Sequence, residues 1–549
     1  MRKGVKTAIV GSVFTVMVGG AGYGAFNIIN GLSGNGGSSG AGAPAVHRTG
    51  PPSSDEVEKA AHKFLTAWAK NDPDTAAVYT NYPGGARDAL TSWHDDAHVT
   101  RTVLTEGTPA GNKVPYKVKA TVSFKGMTKT MSYDASLKVV RGTSTGRALV
   151  DWSPTVLHPD MLKGDTLVTG EAATPPIEAV DRNGVVLTKD KYPSLGPILD
   201  TLRSRYGDKA GGTPGVETYI QRTANDGTTT EKTLLTLAEG KPGKLRTTLS
   251  ATAQAAAEKA ATRFSKSAVV AVKASTGEVL AVANHGYGTW NAAFEAKLAP
   301  GSTMKIITAA ALIDHGVTTA NGPAPCPPYV VVRSQTFHNL TGEQPNMNAT
   351  LSNDFQRSCN TGFIKQFYNL KPAGSALADE AKNRFGIGKD WQTGIVSTDG
   401  SVPVTGDSDD GAAFIGQGKV TMNPLNMASV TATAITGTFR QPVLVSPELS
   451  GRPRATARGL PASTVAQLKQ MMHATATSAI GTATRAMAGM PGNDFGAKTG
   501  SAEVGGQAAS NSWFTGYHND VTAAAMVQAG GHGNTAAGPI VASVLRAAG

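Results

Sequence analysis

Three short stretches of this chain carry side chains whose types and spacing suit one piece of chemistry. The first is Pro300-Gly301-Ser302-Thr303-Met304-Lys305, followed by Ile306, Ala309, Ala310 and Ile313 at helical spacing and closed by His315-Gly316. Residues 302–315 are therefore expected to form a buried helix. A serine at the start of such a helix meets free N–H groups and the positive end of the helix dipole. Lys305 falls one turn later on the same face, within reach of the Ser302 hydroxyl. A serine attacks a carbonyl only once a base removes its proton, and a lysine in a dry site can be that base near neutral pH. Taken alone, the pair is more simply a helix cap with a solvated lysine. The second stretch is Ser358-Cys359-Asn360, after a helical Leu351–Arg357. A hydroxyl and an amide two residues apart can point into one cleft from a tight turn, the first to relay a proton and the second to hold a peptide amide. An ordinary capped loop is the plainer reading. The third is Lys498-Thr499-Gly500 within a strand-like 495–504. Gly500 there implies close approach of another backbone, and an ammonium and a hydroxyl beside strand amides would hold a carboxylate. The plainer reading is a solvated lysine on an edge strand.

The elements that would position these groups are legible as periodicities. Residues 269–273 and 278–283 read as a hairpin through Ser275-Thr276-Gly277, and 512–517 and 521–528 as another through His518-Asn519-Asp520. A final helix, 539–548, is apolar on one side, and helical stretches at 424–435 and 464–474 lie between the hairpins. Strands at both ends with helices between them imply an antiparallel sheet made from the two ends of a domain, with a helical insertion.

The order Ser302, Ser358, Lys498, in the contexts of helix start, loop and strand, resembles the penicillin-binding protein and serine β-lactamase family. Gly416-Gln417-Gly418 before a helix opened by Pro424, and Trp513-Phe514, extend the resemblance from Ser267 to the end. The resemblance implies a peptidoglycan D,D-transpeptidase. In it Ser302 attacks the carbonyl of a D-alanyl-D-alanine stem peptide and Lys305 takes the proton. Ser358 passes a proton to the leaving amine, with Lys498 polarising that path. Asn360 holds the donor peptide, Thr499 and Lys498 grip its carboxylate along the Gly500 strand, and the N–H groups of Ser302 and Ser501 form the oxyanion hole. β-Lactams would acylate Ser302 by the same route, with no metal or cofactor. The rivals are hydrolysis, as a D,D-carboxypeptidase or β-lactamase, and a scaffold in a wall-building complex. One departure is the cysteine between Ser358 and Asn360. Pairing with Cys326 would stiffen that loop; two free thiols are the alternative.

The remainder bounds where such chemistry would run. At 549 residues the chain should hold three or so folded units of about 150 residues. With 40% hydrophobic and 17% charged residues it has material for cores rather than extended disorder. The net charge of +11 is spread without a basic run interleaved with aromatics, so no nucleic-acid face is indicated, and an anionic cell envelope accounts for the charge. Two cysteines, Cys326 and Cys359, exclude a disulfide scaffold and a four-cysteine zinc site. They read either as one bridge in an exported protein or as small buried hydrophobes. Arg2, Lys3 and Lys6 precede an uncharged stretch, 7–32, long enough for a single-pass anchor with everything after it outside the cell; a cleaved signal peptide competes.

Residues 1–32 are thus assigned to cytoplasmic N-terminus and anchor, and 33–52, rich in Gly, Ser, Ala and Pro, to a flexible spacer. In 53–153, Ser53 and Glu56 form a capping box, and Val57, Ala60, Ala61, Phe64, Leu65 and Trp68 repeat at helical spacing. Tyr116, Val118, Ala120, Val122 and Phe124 alternate with polar residues as a half-buried strand. This small α+β unit resembles the nuclear-transport-factor-like cone found at the front of some penicillin-binding proteins. Residues 154–264 read as a pedestal or dimerisation-like domain. There Asp181-Arg182-Asn183-Gly184 turns into an apolar 185–187, and Thr248-Leu249-Ser250 opens a helix. Residues 265–549 are the transpeptidase-like domain, and the whole is α+β and multidomain. No glycosyltransferase domain precedes the pedestal. The resemblance therefore implies a class B, monofunctional protein that works with a separate glycosyltransferase.

Overall fold

The computed structural model describes residues 50–223, 229–340, 342–372 and 374–549. The expected anchor, 1–32, lies outside the described residues, among which no helix is long and apolar enough to cross a membrane. Helix α1 (Ser54–Ala69) opens on a reciprocal cap. The Glu56 N–H donates to Ser53 Oγ and the Ser53 N–H to the Glu56 carboxylate, at 3.3 and 2.9 Å. Its stripe Val57, Ala60, Ala61, Phe64, Leu65 and Trp68 is buried. After α2 (Pro73–Val78) and α3 (Pro83–Asp95) come strands β1 (Val99–Glu106), β2 (Lys113–Phe124), β3 (Met127–Arg141) and β4 (Ala148–Val150), joined in that order. Along β2 Tyr116, Val118, Ala120 and Val122 point inward while Lys117 and Lys119 stay exposed, the period-2 signature of a sheet with one wet face. The Arg141–Arg147 segment closes on itself through a Gly142 N–H to Arg147 O bond of 2.8 Å.

This core does not stop at residue 153. Val156, Leu157, Met161 and Leu167 join it, together with Ile220 and Leu237 from farther along. The hydroxyls of two core-facing tyrosines, Tyr116 and Tyr133, find acceptors in the carbonyls of Val156 and Leu157, which a chain ending at 153 would lack. The following region holds β5 (Thr166–Glu171), β6 (Ile177–Val180), α4 (Gly196–Tyr206), β7 (Val216–Thr223), β8 (Thr229–Ala238) and β9 (Gly243–Arg246). They form a β5-β7-β8 sheet and a parallel β6/β9 pair. Arg203 anchors α4 to this sheet by a two-pronged bond to the buried Glu217, at 2.9 and 3.0 Å. The apolar 185–187 makes only one bridge, Val180 with Val186. Asp181 Oδ1 accepts from the N–H groups of Asn183 and Val185, at 2.7 and 2.9 Å, which closes the expected turn as an Asx turn.

Helix α5 (Ala251–Ala261), capped by Ser250, leads into a five-stranded sheet of order β11-β10-β16-β15-β14. These strands are β10 (Ser267–Lys273), β11 (Val279–His285), β14 (Phe495–Ala502), β15 (Asn511–His518) and β16 (Val521–Val527), each antiparallel to its neighbours. Between β11 and β14 come α6 (Lys305–Asp314), the hairpin β12 (Tyr329–Val332) and β13 (Gln335–His338), α7 (Leu351–Arg357), α8 (Asn360–Lys365), α9 (Pro424–Thr436) and α10 (Ala462–Thr477). Helix α11 (Ala537–Ala548) follows the sheet. Alternate residues serve opposite faces. Val270, Val272, Ala524 and Met526 join the core that contains Met427 and Val430 of α9. Val269, Ala271, Ala523 and Ala525 join the core of α5 and α11. Both faces are therefore dry, and the edges of the sheet are β11 and β14.

The expected helix 302–315 departs at its start. Gly301–Met304 is a 3-10 turn and the α-helix proper runs Lys305–Asp314. Gly301 has φ +54°, outside the right-handed helical region, and a Cβ there would lie 2.3 Å from the carbonyl oxygen of Ser501. The serine thus sits on a tight turn pressed against β14.

Candidate active site

The Ser302 turn is fixed by backbone contact between three distant segments. The Gly301 N–H donates to Gly416 O at 3.0 Å. A Cβ on Gly416, where φ is +72°, would fall 2.2 Å from Gly301 O, and one on Gly500 would fall 2.9 Å from Pro300 O. Glycine is needed where backbones touch this closely, and the Gly416-Gln417-Gly418 match acquires its physical meaning here.

Ser358 is a non-glycine residue in the left-handed region, φ 66°, at the C-cap of α7. That conformation costs roughly 1–2 kcal/mol, so its surroundings must impose it. The Cys359 N–H closes on Asp354 O at 2.9 Å, and Cys359 is joined to Cys326 by a disulfide. Asn339 Oδ1 accepts from the backbone N–H groups of Asn360 and Thr361, at 2.8 and 2.9 Å. A Glu343 carboxylate oxygen lies within 4.8 Å of both cysteine sulfurs. Because the sulfurs are bonded to each other, this trio is not a thiolate metal site.

The result is a dry, lysine-centred network. Lys305 Nζ is fully buried and donates to Ser302 Oγ at 2.9 Å, Ser358 O at 2.6 Å and Asn360 Oδ1 at 2.7 Å, with Ser358 Oγ at 3.3 Å. Lys498, equally buried, donates to Ser358 Oγ at 2.9 Å and Thr499 O at 3.0 Å. Burial pushes the Lys305 ammonium down to about 7, against the pull of the Glu343 and Asp354 carboxylates. Burial, and then the Lys305 charge, push Lys498 well below its ordinary value. Phe363 and Phe355 place ring centroids 5.4 and 5.5 Å from the two nitrogens, giving whichever is charged a cation–π contact. A neutral Lys305 amine has two hydrogens, which Ser358 O and Asn360 Oδ1 can accept. Its lone pair is then left for the Ser302 hydroxyl.

Ser302, Ser358, Asn360, Thr499, Gly500 and Ser501 line one cleft of about 300 Å³; Lys305 and Lys498 reach this group of residues from within the protein. Residues singled out from three stretches up to 196 positions apart (498 − 302) thus meet in one place. Others had escaped notice. Thr482 lines the cleft and its Oγ1 is 2.7 Å from Thr499 Oγ1; Glu503 and His532 also line it. Beneath Lys305, Asp354 is buried with no hydrogen-bond partner for either carboxylate oxygen among the described residues. Burial raises it to about 8 and raises Glu343 as well. A signal for Asp354 existed: with Leu351 and Phe355 it occupies the core face of α7, an unusual place for a carboxyl group.

Residues 267–546, half of the chain, match the family model described as penicillin binding protein transpeptidase domain. The chain belongs to this family. This penicillin-binding transpeptidase also matches, over residues 56–165, the model described as NTF2-like N-terminal transpeptidase domain, which runs past residue 153 as the front core does. Family members are serine acyltransferases that pass through an acyl-enzyme, bind penicillin and cross-link peptidoglycan. Among solved structures the transpeptidase is similar in fold to PBP2 of Pseudomonas aeruginosa, with a TM-score of 0.53 and 22% identity over 68% of this chain and 96% of that one. It also resembles the D,D-transpeptidase domain of a peptidoglycan glycosyltransferase from Eggerthella lenta, at 0.51 and 20% over 69% and 98%. A third likeness is to a chain of a peptidoglycan synthase complex that coordinates polymerization and crosslinking, at 0.52 and 21% over 70% and 92%. No curated protein sequence matches the chain.

Proposed function

We propose that this transpeptidase acylates Ser302 with stem peptides ending in D-alanyl-D-alanine and passes the acyl group to an amine of a neighbouring stem. Neutral Lys305 takes the Ser302 proton as Oγ adds to the penultimate carbonyl, and the N–H groups of Ser302 and Ser501 receive the oxyanion. Ser358, between the two lysines, hands a proton to the departing D-alanine amine and takes its replacement from Lys305, with Lys498 polarising the transfer. The acceptor amine then adds to the acyl carbonyl and gives up a proton through Ser358 to Lys305, which returns it to the Ser302 oxygen as the ester bond breaks. Asn360 orients the donor, and Lys498, Thr499 and the Gly500 backbone grip its terminal carboxylate. The carrying observation is Lys305 Nζ, buried and 2.9 Å from Ser302 Oγ.

Fluorescent penicillin labelling of the parent and of Ser302→Ala tests this reading, alongside analysis of products from a D-alanyl-D-alanine pentapeptide. Persistent label and dimeric peptides from the parent, with neither from Ser302→Ala, are expected. Rapid loss of label with monomeric tetrapeptide as sole product would establish a hydrolase, and unchanged labelling of Ser302→Ala would move the site elsewhere.

The reading extends to location. A single-pass anchor in 7–32, behind Arg2, Lys3 and Lys6, would hold the catalytic domain outside the membrane. A separate glycosyltransferase would supply its strands, as the fold shared with a synthase-complex chain supports. Retention of the full chain in carbonate-washed membranes, and release of a chain beginning at residue 53, would check the anchor.

A further inference from the structure

Thr482 enters the cleft from the turn after α10, and that turn is fixed from two sides. The Gly481 N–H donates to Ser478 O and the Ala483 N–H to Thr475 O, both at 3.1 Å, and a Cβ on Gly481 would fall 2.3 Å from Thr475 O. The turn also grips α7. Ser478 Oγ donates to Oε1 of the buried Gln356 at 2.7 Å, and the Gln356 amide donates in turn to Ser352 O and Oγ, at 3.0 and 2.9 Å. The last carbonyls of a helix have no partner within it, and Gln356 O is one of them. The Asn360 N–H, which a longer α7 would bring to it, goes to Asn339 Oδ1 instead. The Thr482 N–H takes that place at 3.0 Å. The half-buried Thr482 hydroxyl then lies between two acceptors, Gln356 O at 3.1 Å and Thr499 Oγ1 at 2.7 Å.

A hydroxyl carries one proton, so this pair of threonines has two arrangements. With the Thr482 proton on Gln356 O, the 2.7 Å contact requires Thr499 to donate to Thr482. Thr499 then shows only lone pairs to the cleft, which repel a carboxylate. With the Thr482 proton on Thr499 Oγ1, the Thr499 proton is released for the cleft. Gln356 O keeps the Thr482 N–H, so the exchange orphans no buried group. We infer that Thr482 is a positioning residue that donates to Thr499 and so turns the Thr499 O–H toward the terminal carboxylate of the bound donor, an inference that rests on the carboxylate grip assigned to Thr499 above. A carboxylate at the end of the chain selects the second arrangement, and successive hydrogen bonds in it strengthen one another.

The test compares acylation of Ser302 in the full chain by benzylpenicillin and by its methyl ester, which lacks the carboxylate charge, followed by intact mass. The ratio of second-order rates, acid over ester, is expected to fall about fivefold in Thr482→Val and in Thr482→Ala, and more than about tenfold in Thr499→Val. Thr482→Ser, which keeps the hydroxyl, should hold the parent ratio. Because Thr482 acts through Thr499, the Thr482→Val/Thr499→Val pair should lose no more than Thr499→Val alone. Rates for acid and ester that fall together in the Thr482 variants, leaving the ratio at its parent value, overturn the positioning role. So do losses that multiply in the pair, or a fall in Thr482→Ser equal to that in Thr482→Val. If Thr499→Val itself leaves the ratio unchanged, the carboxylate grip falls, and the role of Thr482 with it.

Discussion

In the proposed acylation, Lys305 has to be two things: dry enough to give up its proton, and held well enough to aim a lone pair at Ser302. Burial supplies the first, and the acceptors on Ser358 and Asn360 the second. In that reading the neutral amine is the reactive form, so the second-order rate of acylation should rise with pH through about 7. Benzylpenicillin labelling from roughly pH 5.5 to 9 measures it. Asp354 and Glu343 act against the neutral form, since a buried carboxylate nearby favours the ammonium. Asp354→Asn keeps the shape and removes the charge. Because burial raises Asp354 to about 8, little of that charge is present near 7, so the limb should stay almost in place; a clear move to lower pH would show that Asp354 is ionised there.

Two elements hold these residues against their local preferences. The α7–α8 corner keeps Ser358 left-handed, and the Cys326–Cys359 bridge spans 33 positions across it. Replacing both cysteines by alanine should cost roughly 2–4 kcal/mol of stability and slow acylation, because the corner carries Ser358 and Asn360; denaturant melts and labelling rates of the double variant check both. The Ser302 turn depends on Gly416 in the same way. Gly416→Ala places a methyl group 2.2 Å from Gly301 O at a φ of +72°, which must push the serine turn away from β14. A displacement near 1 Å can cost about 100-fold in rate, so labelling should slow by one to two orders of magnitude while the far β10–β11 hairpin stays protected from hydrogen exchange.

At the scale of the whole chain, the front unit and the pedestal share apolar residues. Leu157, Met161, Ile220 and Leu237 lie in one cluster with Phe64, Trp68 and Val118. A fragment of residues 53–153 should therefore fail to melt cooperatively, whereas 53–246, which retains these residues, should give one sharp transition by circular dichroism. The sequence-based boundary at 153 missed this because periodicity reports which face of an element is apolar and not which partner covers it. The same limit explains Asp354, visible in α7 as an odd carboxyl but linked to Lys305 only by folding. By itself the sequence determined the two hairpins, the β14 strand, the capped α1 and the three reactive stretches, because each depends on residues within a few positions of one another. Only the tertiary structure decided that Ser302 begins on a 3-10 turn and that Gly301, Gly416 and Gly500 lie in backbone contact. It also decided that two lysines share the Ser358 hydroxyl in a dry pocket. Those facts arise from desolvation and close approach between segments far apart in the chain, and burial of that kind has no local spelling.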